Sequence, residues 1–272
     1  MQIATYDQRT RDTLRAPGVK YHRENALGLL PMSHIYSLVV ICHTGPYRGD
    51  GTIILPKFDM QSFLTSIQKY KINSLYLVPP IIIMMCKNKN TLDKFDLSSV
   101  HIIFTGAAPL GQETAEELQS QYPKWLIRQG YGLTETSTVV SSSSAHDIWF
   151  GSSGSVIPGC EVRIVDAEGK DITDYDTPGE LWVKGPAVTL GYLNNDKATK
   201  ETFVEDSKGR WMKTGDEAVV RKSPKGNEHI FITDRIKELI KVKVSLFLYY
   251  ASTISNPHRD YKLLQQNSRL TC

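Results

Sequence analysis

Val100-His101-Ile102-Ile103-Phe104-Thr105-Gly106-Ala107-Ala108-Pro109 is an apolar, extended run that stops at a glycine-containing turn. Apolar and β-branched side chains suit a half-buried strand, and Gly106 and Pro109 mark its end. Outward from this stretch, residues 112–121 have a helical pattern and 124–128 are extended again, which is the form of a parallel strand–helix–strand unit. The alternation continues upstream, with a strand over 26–31, an amphipathic helix over 60–70, a strand over 72–78 and a helix over 81–87. The expected fold is therefore α/β: a layered, largely parallel sheet with helices. A helix tail over 2–14, ended by Ala16-Pro17-Gly18, precedes it. Ligands of such sheets gather at the carboxyl ends of the strands. Residues 105–109 and 129–135 both come directly after strands, so a site is expected there.

Beyond Ser141-Ser142-Ser143-Ser144 the texture turns β-rich. Strands are expected over 161–166, 180–184, 217–221 and 229–233, separated by Glu168-Gly169-Lys170, Pro178-Gly179 and Pro224-Lys225-Gly226. They imply a small antiparallel or barrel-like subdomain beside the first. The serine run reads as a flexible, solvated loop. This gives an α/β core over 1–150 and a β-rich subdomain over 151–236.

Composition narrows the functional classes. With 272 residues, 40% of them hydrophobic and 22% charged, the chain is long enough for a sizeable core. A net charge of +3 without a basic stripe is too small to argue for a nucleic-acid or membrane partner, and no nucleic-acid partner is expected. Apolar runs such as 38–42 and 81–86 fall far short of the ~20 residues of a membrane helix. Asp7, Arg9, Arg11 and Asp12 interrupt any secretory leader. Cys42, Cys86, Cys160 and Cys272 lack metal-ligand spacing, and the first three read as reduced thiols of an intracellular protein.

Three short motifs arrive in a fixed order: Gln129-Gly130-Tyr131-Gly132-Leu133-Thr134-Glu135, Lys213-Thr214-Gly215-Asp216, and Asp234-Arg235-Ile236-Lys237-Glu238-Leu239-Ile240-Lys241. An aromatic ring between glycines can lie flat on a purine. The hydroxyl and carboxylate of Thr134 and Glu135 can meet a phosphate and its magnesium ion, and Asp216 can accept from both ribose hydroxyls. Each residue also has a plainer role open to it. His34 suits a satisfied core histidine, Tyr131 core packing, Glu135 and Asp216 loop carboxylates or helix caps, and Arg235 and Lys237 a solvated strand end. Gly191-Tyr192 carries no evident chemistry and reads as a structural turn.

From Leu29 to Lys243 the chain resembles the adenylate-forming enzymes, in particular the acid-CoA ligases of the 4-coumarate-CoA ligase-like group. Besides the three motifs, the resemblance rests on Leu30-Pro31-Met32-Ser33-His34-Ile35-Tyr36-Ser37, Gly106-Ala107-Ala108-Pro109-Leu110, Pro178-Gly179-Glu180-Leu181 and Gly191-Tyr192-Leu193-Asn194-Asn195. It implies a ligase that joins a carboxylic acid to AMP, releases pyrophosphate and passes the acyl group to coenzyme A, with ATP and magnesium required. By the same resemblance Glu135 ligates magnesium, Thr134 bonds the α-phosphate and Tyr131 stacks on adenine. Gly106 and Ala107 bring backbone close to base and acyl group, and Asp216 and Arg235 meet the ribose. Gln129, Gly130 and Gly132 complete the nucleotide set. His34, Tyr36, Thr105, Gly130, Thr138 and Val139 line the acyl pocket. Phe104 stands where coumarate-type ligases often carry lysine, and Thr136-Ser137-Thr138 replaces a common Ala-Gly-Pro, so a medium-chain, aryl or other lipophilic acid is as compatible with the pocket as a hydroxycinnamate.

The resemblance also implies parts that this sequence does not supply. The family grips the outer phosphates with a Ser/Thr/Gly-rich loop upstream of where Met1 stands, and continues past Lys243 into a mobile C-terminal domain with a catalytic lysine. Lys237 resembles the hinge between domains and Lys241 a residue of the thioester-forming state, which places hinge and domain start at 237–243. The expectation is an enzyme fragment, inactive or weakly active as written, cytoplasmic or peroxisomal in full-length form. The alternatives are a non-catalytic AMP- or acyl-binding module and an unstable product of an incomplete gene model. Residues 244–272 leave the family pattern and are expected to be poorly ordered. Val244-Ser245 can be encoded by a splice-donor sequence, so the tail reads as translated intron.

Overall fold

The computed structural model describes residues 23–236; the expected helix tail, Lys237, Lys241 and the 244–272 tail lie outside them. The first unit is built on a seven-stranded sheet. In chain order its strands are β1 (Asn25–Gly28), β2 (Gly51–Ile54), β3 (Ser74–Leu77), β4 (Ile102–Thr105), β5 (Leu126–Leu133), β6 (Thr138–Ser142) and β7 (Ser155–Val156), arranged β2-β1-β3-β4-β5-β6-β7. Pairings from β2 to β5 are parallel; β5–β6 and β6–β7 are antiparallel. The largely parallel sheet is as expected.

Helices separate the parallel strands: α1 (Ser37–Thr44, π-helical), α2 (Gly45–Tyr47), α3 (Met60–Tyr70), α4 (Pro79–Lys87), α5 (Lys89–Leu92) and α6 (Gln112–Gln121). The bounds of α3 come from its ends. The Asp59 carboxylate accepts from the Ser62 N–H at 2.8 Å, and Lys71, at φ 48°, turns the chain out of the helix. Phe63, Leu64 and Ile67 from its inner face are fully buried against Leu27, Leu75 and Ile103 of the sheet. α4 opens on Pro79-Pro80, where the missing N–H groups are not needed.

Two expectations are corrected here. The glycine-containing motif is not a loop after a strand: β5 runs on through Gly130-Tyr131-Gly132 to Leu133 and folds back on β6 as a hairpin. Nor is the serine run a solvated loop. Ser141, Ser142 and Ser143 are buried, because each hydroxyl finds a backbone carbonyl: Ser141 Oγ donates to Ser153 O, Ser142 Oγ to Ser143 O and Ser143 Oγ to Gln129 O. A buried hydroxyl costs little once it is bonded.

The second unit is a six-stranded antiparallel sheet of β8 (Glu161–Val165), β9 (Asp171–Ile172), β10 (Gly179–Lys184), β11 (Phe203–Asp206), β12 (Gly209–Lys222) and β13 (Glu228–Arg235), with one short helix, α7 (Asp196–Thr202). β12 is its spine, pairing with β10, β11 and β13. Val140 of β6 packs with Ile164, Leu181, Val183, Ala218 and Ile230 in a second core. Backbone bonds stitch the two units, from Ser153 N–H to Ile230 O at 2.8 Å and from Ile230 N–H to Gly154 O at 2.9 Å. Beside this seam His229 bonds Ser152 Oγ through Nδ1 at 2.9 Å and places Nε2 3.2 Å from Asp147 Oδ2, at an angle too poor for a directed hydrogen bond.

Candidate functional site

The β5–β6 hairpin carries the first motif, and its closeness dictates its glycines. A Cβ on Gly132 would stand 1.5 Å from the Thr138 carbonyl oxygen, so only glycine fits where the ladder shifts register. A Cβ on Gly130 would meet the Phe104 ring at 2.5 Å. The hairpin turn is held by Thr136, whose hydroxyl accepts from the Leu133 N–H at 2.9 Å and lies 3.0 Å from Thr138 O. Ser137 and Thr138 take positive φ, 49° and 99°. For a β-branched residue this is a strained backbone, of the kind that collects at working sites.

β12 and β13 bring the other motifs to this hairpin. Asp216 and Arg235 are register partners across the two strands, and Arg235 Nε donates to Asp216 Oδ1 at 3.0 Å. From the first unit, Tyr131 Oη donates to Asp216 Oδ2 at 2.6 Å. Burial pushes the Asp216 carboxyl upward, and the opposing pull of Tyr131 and Arg235 does not fully offset it. Burial, with the charge of Asp216, holds the Tyr131 phenol well above its usual range, so it stays a donor. Three residues from three separate motifs thus meet at one carboxylate.

Glu135 lies on the far side of the hairpin turn. Its Oε1 accepts from Tyr192 Oη at 2.9 Å, and its backbone carbonyl accepts from the Thr189 N–H at 2.8 Å. The turn reading of Gly191-Tyr192 is therefore incomplete: the turn delivers a phenol to the carboxylate. Nothing in the sequence marks Tyr192 except its place in the Gly191–Asn195 motif. Thr134 is exposed beside Glu135.

The residues expected around an acyl group also converge. Tyr36, buried and with its phenol pushed well above the usual range by that burial, donates to Phe104 O at 2.7 Å and packs on the Phe104 ring at 6.1 Å. His34 Nδ1 accepts from the Tyr36 N–H at 3.2 Å, and Thr138 Oγ1 donates to Ile35 O at 3.1 Å. Val139 is buried, and Thr105 is buried with a hydroxyl that has no protein partner. Gly106 is buried too, yet a Cβ there would make only ordinary contacts, 3.5 Å from Gly130 O and 3.7 Å from the Tyr36 ring. Ala107 is exposed at φ 66°. The Gln129 amide is used within the protein, accepting from the Leu110 N–H at 2.9 Å and donating to Ser152 O at 3.3 Å. A narrow cleft lined by Thr105, Arg128, Gln129 and Trp149 opens behind this strand end; Tyr131, Glu135 and Asp216 do not line it.

The donor chemistry fits a nucleotide with magnesium. Among the described residues no three His, Cys, Asp or Glu side chains gather as a metal cage. One hard carboxylate, Glu135, is what magnesium takes from a protein when phosphate oxygens and water complete its shell. No helix of the described residues is long and apolar enough to cross a membrane.

Comparison with known proteins places the chain in a family and matches its fold. The family model described as AMP-binding enzyme matches residues 3–193. The chain is 43% identical over 243 residues to the acyl-CoA ligase cm3C of Cordyceps militaris, covering 89% of this chain and 36% of that protein. It is 46% identical over 220 residues to the acyl-CoA ligase easD of Emericella nidulans, covering 81% and 38%, and 40% identical over 243 residues to the acyl-CoA ligase lcsD of Purpureocillium lilacinum, covering 89% and 60%. The chain thus spans between about a third and three fifths of these relatives. Among solved structures, the adenylation domain of a keto acid-selecting peptide synthetase module superposes with a TM-score of 0.71 at 20% identity, over 88% of this chain and 48% of that one. The o-succinylbenzoate coenzyme A synthetase of Bacillus subtilis, solved with ATP and magnesium, gives 0.68 at 23%, over 89% and 47%. Both share the fold.

Proposed function

The chain belongs to the AMP-binding enzyme family, and on that premise we propose that it forms the nucleotide-recognising centre of an ATP-dependent carboxylic acid–CoA ligase. The observation that carries the reading is the meeting of Tyr131, Asp216 and Arg235 at one buried carboxylate, with Glu135 at the other end of the same hairpin. Asp216 would receive the ribose hydroxyls, Tyr131 would face the base, Thr134 would hydrogen-bond the α-phosphate and Glu135 would hold magnesium. Magnesium, when bound, supplies the positive charge that offsets charge developing on the phosphates.

A carboxylic acid attacks the α-phosphate only when its oxygen is held in line with the departing pyrophosphate. The protein's contribution is that orientation, worth several kcal/mol of barrier. Coenzyme A then takes the acyl group as a thioester and AMP leaves. The aromatic pair Tyr36 and Phe104, with Val139, suits a lipophilic carboxylic acid, whether aryl, medium-chain or hydroxycinnamate. An intracellular setting, cytoplasmic or peroxisomal, is supported by the free thiols of Cys42, Cys86 and Cys160.

The test is AMP binding by the 272-residue chain, followed by ATP–pyrophosphate exchange with a panel of acids. AMP binding that weakens about 10- to 100-fold in Asp216→Ala supports the site, since hydrogen bonds to a charged group are worth about 1.5–3 kcal/mol. Exchange with any acid supports the ligase; AMP binding without exchange makes the chain a binding module. No AMP binding at all overturns the reading.

A further inference from the structure

Residues 187–195 form a loop held at many points but open on its outer side. Ser137 Oγ donates to Ala187 O at 2.8 Å, Arg210 Nη2 to Thr189 O and Leu190 O at 2.9 and 2.8 Å, and the Thr189 N–H to Glu135 O. Leu190 and Leu193 project into solvent, 93% and 91% exposed. Tyr192 alone of this trio turns inward. Its N–H is bonded to Thr199 Oγ1 at 2.9 Å, its ring packs on Phe203 at 5.8 Å, and its hydroxyl reaches Glu135. Gly191 allows the approach, because a Cβ there would be 2.5 Å from Thr199 Cγ2. Asn195 fixes the base of the device by capping α7 through the Ala198 N–H at 3.1 Å.

We propose that Tyr192 is a positioning residue for Glu135: its hydroxyl holds one carboxylate oxygen in place so that the other is presented to a divalent cation bound with the nucleotide's phosphates. The inference rests on the ligase reading. A carboxylate on a hairpin turn has rotamer freedom that a metal site must remove, and a phenol fixed by its own packing removes it before the metal arrives. The direction of the bond is set by chemistry. A phenol O–H donates and a carboxylate oxygen accepts, so the 2.9 Å contact runs from Tyr192 Oη to Glu135 Oε1. The metal would therefore meet a carboxylate already oriented by an uncharged hydrogen-bond donor.

The experiment compares ATP affinity with magnesium and in EDTA, for the whole chain and for Tyr192→Phe and Glu135→Gln, with AMP affinity in EDTA and thermal melting as controls. The Phe ring keeps its packing on Phe203 and loses only the hydroxyl. The ratio of ATP affinities with and without magnesium is expected to fall about 10-fold in Tyr192→Phe, the lower end of what loss of a metal ligand's hydrogen-bond partner produces. AMP affinity should stay within about two-fold, the scatter expected of a change remote from the ribose. A Glu135→Gln chain that loses the magnesium dependence while Tyr192→Phe keeps it overturns the role of Tyr192 and leaves the ligase reading standing. Equal magnesium dependence in wild type and Glu135→Gln overturns the metal assignment and this inference together. A Tyr192→Phe chain that melts early or loses AMP would show the hydroxyl to be a structural tie and overturn the proposal.

Discussion

Asp216 is 3% exposed with both carboxylate oxygens engaged, whereas Thr134 lies open to solvent and Glu135 is held through one oxygen by a tyrosine on a surface loop. The two ends of the candidate site, Asp216 on β12 beside the hairpin and Glu135 in its turn, are therefore organised on opposite terms. At the proposed ribose end, strand pairing and a buried phenol fix the acceptor. At the proposed phosphate end the protein provides a few groups, and a ligand's own charges with a metal would complete the arrangement. The difference teaches how the proposed roles would divide: the proposed ribose acceptor is fixed by the described residues themselves, while the proposed phosphate contacts are few and open.

The sharpest test of that division is Gly132→Ala, because Gly132 joins the two ends. A Cβ 1.5 Å from the Thr138 carbonyl forces the hairpin apart, at a cost of about 3 kcal/mol or more, which lowers Tm by about 6–12 °C. Calorimetry with AMP present reads both losses. Retention of AMP binding would show that the ribose end does not depend on the hairpin. Smaller is the effect of Tyr131→Phe, which strips a donor from a buried carboxylate and should cost about 1.5 kcal/mol, or about 3–6 °C in Tm. Thr134→Ala at the exposed end should stay within about 0.5 kcal/mol. Equal melting of the two variants would erase the contrast.

The smallest effect has the opposite sign. Since the folded Asp216 carboxyl sits above its ordinary value, the folded state holds that proton more tightly than the unfolded chain. Stability from this group is present at low pH and is lost as pH rises from the ordinary carboxylate range, about 3.9, through the raised folded value. Asp216→Asn should therefore melt on the order of a degree or two higher than wild type at pH 7, with the gap closing toward pH 4, while AMP binding collapses. A pH-independent gap, or a lower Tm at neutral pH, would show that the ribose end is stabilised by its charge rather than strained by it.

The parallel sheet was legible because burial on both faces leaves a chemical trace: Leu75, Leu77 and Ile103 sit in runs that serve little else. α3 was legible to the residue, since amphipathic spacing and turn signals at its ends coincide. The serine strand was not. Its hydroxyls look solvated in sequence and become compatible with burial only through carbonyls 1, 12 and 14 residues away. Gly130-Tyr131-Gly132 looked like a turn because glycine signals freedom, whereas here it signals close approach of a neighbouring strand. Asp216 stood out through its motif, but its bond to Tyr131, from 85 residues away, did not. Tyr192 was hidden for the same reason. Its target lies 57 residues upstream, and a single phenol after a glycine has no periodicity to announce it.

Sequence separation also distinguishes the two contacts of the Asp216 carboxylate. β12 and β13 are joined by a turn at 223–227, so closing Asp216 onto Arg235 involves a short loop and little chain entropy. The Tyr131 contact requires two units to dock across the seam. A carboxylate that would be hard to bury alone is thus accompanied by a local partner on its own strand pair and by a distant one across the seam, so the β12–β13 pairing carries the first contact and the docking of the two units the second.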